Sequence, residues 1–185
     1  MDLTDWNAAI FEQLGVGRAP EKRLYLYVSP DSLGALSNLS PAEAVADFCR
    51  AFEDASGGRF FGPHRARAQA WRSSGFDGDP PIVAALGMTV LPVTDDPIGS
   101  PSGVYRNQNR LLGLPADAKE PPNYGTDVPI MWQIWNEWLR GPGRRYGRPS
   151  ARTGEHYTRQ GWARSQGLIR YSDRVQIEDF LEGLR

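Results

Sequence analysis

The run Ile82-Val83-Ala84-Ala85-Leu86-Gly87-Met88-Thr89-Val90-Leu91 decides the fold class. As a helix following Pro80-Pro81, it makes the protein mainly α. As a central strand, it seeds a sheet. The run is apolar with no clear period, so periodicity alone does not choose. It is about half of the ~20 residues that a helix needs to span a bilayer. A buried helix is the reading adopted, with a central strand as the alternative.

The segments on either side read mostly as helices. Asp5 to Leu14 is the first, capped by Thr4 or Asp5, with Trp6, Ile10, Phe11 and Leu14 on one face. Gly15-Val16-Gly17 stops it. Leu24 to Val28 has strand propensity, and Pro30 to Leu36 reads as a short helix. Ser40-Pro41-Ala42-Glu43 is a capping box with proline at the first helical position. Val45, Phe48, Cys49 and Phe52 follow it at core-stripe spacing. Pro63 to Arg72 suits a further helix and Ser73 to Pro81 a loop. Thr94 to Gly103 reads as a second loop, Val104 to Leu112 as a short helix, and Leu114 to Asp127 as a third loop broken by prolines.

Pro129 to Arg140 is a strong helix, with Met131, Ile134, Trp135, Trp138 and Leu139 along one face. Trp132, Trp135 and Trp138 point to core packing, with a partly exposed docking patch as the alternative. Beyond Arg140 glycines and prolines punctuate polar stretches. That suits a β-hairpin, 148–153 with 155–160, followed by helices at Ala163–Tyr171 and from Asp173 onward. The fold class is therefore mainly α with a small β-hairpin and one extra strand, an α+β arrangement. The order helix, hairpin, helix, helix is compatible with a winged-helix-like carboxyl-terminal part. One domain over residues 1–185 is expected, with an acidic helical part (1–127) and an Arg-rich part (128–185).

Charge is unevenly spread. The chain carries a formal net charge of −1. Residues 140–174 hold nine arginines against Glu155 and Asp173, a net of +7, while residues 1–139 sum to −6. A basic patch on an acidic body suits a phosphate backbone, an acidic protein partner, or docking onto the acidic part of the same chain. Tyr146, Tyr157, Trp162 and Tyr171 interleave with the arginines, as stacking platforms do in single-strand binders. The candidate contacts are Arg144, Arg145, Arg148, Arg152, Arg159 and Arg164, with Tyr157 and Gln166 assisting by stacking or hydrogen bonding.

Other chemistry finds little footing. Cys49 is the lone cysteine, so neither a disulfide framework nor a Cys-based zinc cluster is open to this chain. His64 and His156 have no metal-ligand spacing, and Asp77 with Asp79 lacks a calcium-loop ligand series. No nucleophile elbow and no phosphate-binding glycine loop occur. No catalytic residue, metal or other cofactor is expected. The acidic amino terminus lacks a signal-peptide pattern, which points to the cytoplasm and to no membrane partner.

A set of motifs runs from Pro80 to Leu181: Pro80-Pro81, Tyr105-Arg106, Arg110-Leu111-Leu112-Gly113-Leu114, Trp135-Asn136-x-Trp138-Leu139, Gly143-Arg144-Arg145-Tyr146-Gly147, His156-Tyr157, Ser165-Gln166-x-Leu168-Ile169-Arg170, Asp173-Arg174 and Phe180. Their order resembles an amino-terminal region of large uncharacterised bacterial proteins associated with anti-phage defence loci. The resemblance implies an accessory or sensor module, with any ATPase or nuclease on another protein, and it carries over no catalytic residue. Three functional readings stand: docking to a partner protein of a larger assembly, binding of DNA or RNA by the same basic surface, and a small enzyme of unrecognised type.

Overall fold

The computed structural model of the protein describes residues 1–15, 20–94, 101–115, 117 and 120–149. Among them are seven α-helices, α1 (Leu3–Gly15), α2 (Pro30–Ser37), α3 (Pro41–Ser56), α4 (Gly62–Ser73), α5 (Val83–Thr94), α6 (Pro101–Leu111) and α7 (Tyr124–Arg140). A 3-10 turn spans Pro142–Tyr146, and a two-residue parallel ladder joins β1 (Arg23–Leu24) to β2 (Arg148–Pro149). The protein is thus mainly helical with a minor sheet.

The apolar run is a helix, and its lack of period has a cause. Every residue from Ile82 to Val93 is buried. A helix enclosed on all sides has no polar face and shows no amphipathic repeat. α5 packs against α1, α3, α6 and α7. Its start is fixed from α1, where the Asn7 side-chain carbonyl accepts from Ala84 N at 3.1 Å and its amide donates to Pro80 O at 2.8 Å. Asn7 thereby satisfies one of the orphan N–H groups of the first turn.

Several boundaries differ from the sequence reading. α1 begins at Leu3 because the Asp2 carboxylate accepts from the backbone of Thr4 and Asp5, at 2.7 and 2.9 Å. Asp2, rather than Thr4 or Asp5, is the cap. Of the predicted strand from Leu24 to Val28 only Leu24 joins a ladder, together with Arg23 just before it. Beyond it Leu24, Leu26 and Val28 are buried while Tyr27 is exposed, so the segment keeps a period of two without regular pairing assigned to it. α7 starts five residues before Pro129. That proline lacks only the N–H that would bond the Gly125 carbonyl, and the packing of a 17-residue helix outweighs the loss.

α3 follows its expected pattern. Glu43 accepts from Ser40 N at 3.1 Å and Ser40 Oγ at 2.6 Å, and Gly57 ends the helix in the left-handed conformation. These Ser40 hydrogen bonds hold the Glu43 carboxyl below its ordinary range. Phe48 and Phe52 are buried, whereas Cys49 is half-buried. All three tryptophans of α7 are core residues, so no exposed Trp patch exists there. α4 and α7 run side by side in the same direction. Phe61 meets Tyr124 near their starts, Trp71 meets Trp138 near their ends, and Arg65 pairs with the buried Asp127 at 2.9 Å. The predicted hairpin beyond Pro149, both carboxyl-terminal helices and the winged-helix-like part lie outside the described residues.

Candidate interaction surface

The basic face is assembled by a tight return of the chain after α7. Gly141 caps that helix with hydrogen bonds to Glu137 O and Trp138 O. Gly143 then lies flat on the indole of Trp138, where a Cβ would overlap the ring. Tyr146 stacks on the same indole at 5.3 Å and packs on Phe11 at 5.1 Å. Gly147, at φ 137°, brings the backbone so close to β1 that a Cβ would sit 2.9 Å from Lys22 O. Only glycine combines that conformation with that approach. Arg148 N then donates to Lys22 O at 2.8 Å and starts the ladder.

Cations are the product of this geometry. Arg144, Arg145 and Arg148 are exposed on the turn and on β2, and Arg23 of β1 with Lys22 just before it is also exposed. Arg23 and Arg148 are register partners and both are exposed, so two like charges leave the ladder from paired positions, which is unfavourable in the absence of an anion. Among the described residues, ion pairs join the amino terminus and Arg50 to Asp47, Arg65 to Asp127 and Arg72 to Glu137, and none of these uses the five cations. Arg145 is oriented by Tyr146: its guanidinium carbon lies 4.8 Å from the ring centroid and one N–H donates to the phenol oxygen at 2.8 Å. The other donors of that fork stay available for a carboxylate or phosphate.

Of the residues proposed from sequence, Arg144, Arg145 and Arg148 are brought together here. Arg152, Tyr157, Arg159, Arg164 and Gln166 lie outside the described residues. Sequence reasoning missed Lys22 and Arg23. Their sole signal was position next to a predicted strand, and their meeting with Arg148 depends on a long-range register.

One buried pair resembles catalytic machinery and is built otherwise. Ser56 Oγ lies 3.0 Å from His64 Nε2, both residues being buried. The serine hydroxyl donates to Phe52 O at 2.6 Å, so its proton is committed to a backbone carbonyl. By donor bookkeeping His64 carries its proton on Nε2 and donates to Ser56. Burial, reinforced by the charge of Arg67, pushes the His64 pKa down to about 4. The ring is neutral at pH 7, stacked on Phe52 at 4.8 Å, and serves packing.

That shift sets a pH dependence. The folded pKa lies below the unfolded value near 6.5, so the unfolded state binds the extra proton first. The contribution is complete above pH 6.5 and is lost as pH falls toward 4. Between pH 7 and pH 5 we expect a loss of about 2 kcal/mol, read as a falling urea midpoint, and His64→Phe should flatten that slope. An equal slope in the variant would assign the effect to other groups.

No family model, curated protein or solved structure matches this chain. The functional reading accordingly rests on the geometry above. No helix of the described residues is long and apolar enough to cross a membrane, and no group of three His, Cys, Asp or Glu side chains gathers among them.

Proposed function

We propose that the chain is a non-enzymatic interaction module that docks an acidic surface of a partner protein through its basic face. In that role it serves a larger bacterial assembly, of the anti-phage kind that the motif order suggests. The observation that carries the reading is the Arg23–Arg148 juxtaposition. Two exposed arginines at paired positions of the ladder, beside Lys22, Arg144 and Arg145 and without a carboxylate partner among the described residues, set up a repulsion that a docked anion relieves. Nucleic acid is the second reading, favoured by the same cations but through phosphate contacts. The Tyr146 ring is already engaged by Trp138 and by Arg145, so it offers no platform on which a base would stack.

The test is a titration of the full chain with poly-L-glutamate and with a single-stranded oligonucleotide at two salt concentrations. Poly-L-glutamate should bind, more weakly as salt rises. The double variant Arg144→Glu with Arg145→Glu should lose about a hundredfold in affinity, since each charge-assisted contact contributes roughly 1.5 kcal/mol or more. Tighter binding of the oligonucleotide at equal salt would transfer the function to nucleic acid. Binding of neither polymer, or no change in the double variant, would end the basic-face proposal.

A further inference from the structure

The basic face borders an open strand edge. From Leu24 onward the chain keeps a strand's period: Leu24, Leu26 and Val28 are buried, Tyr25 is half-buried and Tyr27 is 47% exposed. In such a segment the main-chain groups of successive residues point to opposite edges. One edge is occupied. Lys22 O accepts from Arg148 N at 2.8 Å, Val28 O accepts from Thr94 Oγ1 at 2.7 Å, and Leu26 is engaged as well. All three belong to the even-numbered set. The odd-numbered residues Arg23, Tyr25 and Tyr27 present their main chain to the other edge. Among the described residues, the main chain of Tyr25 and of Tyr27 forms no hydrogen bond.

An unpaired edge is a template for another strand. The outer edge of β2 is blunted, because Arg148 faces β1 and the next, outward position is Pro149, which has no N–H to donate. The edge of residues 23–28 has no such block, and its surroundings select what pairs with it. Lys22, Arg23 and Arg148 are exposed at its start, with Arg144 and Arg145 on the turn that leads into β2. The neighbouring carboxylates are Glu21, just before Lys22, and Glu12, next to the Phe11 that packs on Tyr146. Asp31 stands beyond the far end, and Glu137 of α7 is already paired with Arg72. Five cations against Glu12 and Glu21 leave the Arg23 end positive, while the Tyr27 end is aromatic. A second copy of this chain would bring the same positive excess, so like charge disfavours it.

We infer that an extended acidic segment of the partner protein adds to this edge as a strand, its main chain pairing with Tyr25 and Tyr27 and its carboxylates lying on the face of Arg23 and Arg148. Neighbours across a ladder share a face. Acidic residues that alternate with apolar ones therefore put every carboxylate on the charged face and every apolar side chain toward the rim of Leu24, Leu26 and Val28. Main-chain pairing supplies affinity, and the charges fix register. The inference rests on the acidic-partner reading above and narrows it, since the basic face can hold a polyanion without any strand being added.

The probe is the blocked hexapeptide acetyl-Glu-Val-Glu-Val-Glu-Val-amide, long enough to cover residues 23–28, titrated into the folded full chain beside poly-L-glutamate. Two analogues carry N-methyl groups, one on the Glu nitrogens and one on the Val nitrogens. Each blocks the hydrogen bonds of one edge of the peptide and leaves its charge unchanged. One of the two should bind about tenfold or more weakly than the other, the scale of one or two main-chain hydrogen bonds. Arg23→Glu should weaken the unmethylated peptide by about tenfold, the scale of one charge-assisted contact. Saturating peptide should slow exchange of the Tyr25 and Tyr27 amide protons by about tenfold or more. With poly-L-glutamate still bound, four results would each overturn strand addition and leave the basic face standing: no binding of the hexapeptide, equal affinity of the two analogues, unchanged binding in Arg23→Glu, or unchanged exchange at Tyr25 and Tyr27. Failure of poly-L-glutamate to bind would remove the acidic-partner reading and this inference with it. Amides of Tyr25 and Tyr27 already protected in a dimer of the free chain would give the edge to a second copy and equally overturn the inference.

Discussion

Leu86→Asp is expected to abolish the cooperative fold. Leu86 is fully buried in the first turn of α5, the helix that touches α1, α3, α6 and α7. The substitution removes a buried leucine, a loss of about 2–3 kcal/mol. It also sets a carboxylate at a fully buried position of the apolar core. An unpaired buried charge costs several kcal/mol more, or forces protonation at similar expense. Against a typical stability of about 5–15 kcal/mol, the sum takes most or all of it. Circular dichroism should show no sigmoidal thermal transition, and gel filtration should show an expanded or aggregated species. Leu86→Met, which keeps volume and polarity, should cost under about 1.5 kcal/mol and retain the transition. A cooperative melt of Leu86→Asp near that of the parent would mean that α5 is not the centre of the core.

The same helix marks how far the sequence was legible. Where a helix has one wet face, the pattern showed it: the capping box at Ser40 and the Phe48–Phe52 stripe locate α3, and the Trp135–Trp138 face locates the second half of α7. Where burial is complete, the amphipathic signal disappears. Ile82 to Leu91 therefore left helix and strand open, and Pro92, inside α5, offered no help. Proline also misled at the start of α7, because Pro129 reads as a first helical position although the helix begins at Tyr124. The candidate surface was legible in part. Clustered arginines after Arg140 are visible in the chain, but Lys22 and Arg23 join them through a parallel register set 125 residues away in sequence. No local pattern encodes a pairing of that range. The open edge was legible only as strand propensity over residues 24–28, because which side of a strand stays unpaired is decided by where its partner lies.

Gly143 couples the core to the basic face, and Gly143→Val is expected to damage both. The glycine is buried, and the added Cβ would overlap the indole of Trp138. That indole cannot swing away, since it is held by Trp71 at 5.7 Å, Trp135 at 4.9 Å, Phe11 at 6.0 Å and Tyr146 at 5.3 Å. The backbone of the turn must move instead. Overpacking of a filled core typically costs about 1–3 kcal/mol, and a β-branched side chain against a clamped ring belongs at the upper end. Movement of the turn also lifts Tyr146 from Trp138 and slackens the close approach of Gly147 to Lys22, so the two-residue ladder loses its register. Arg145 loses its aromatic support and Arg148 parts from Arg23. Two readouts follow: a urea midpoint lowered by the equivalent of about 3 kcal/mol, and weakened binding of poly-L-glutamate with every arginine still present. The second readout separates geometry from net charge, because the variant leaves the formal charge unchanged. If Gly143→Val bound the polyanion as tightly as the parent, the contribution of the basic face would be charge alone, and the fixed orientation of Arg145 and the Arg23–Arg148 register would have no part in recognition.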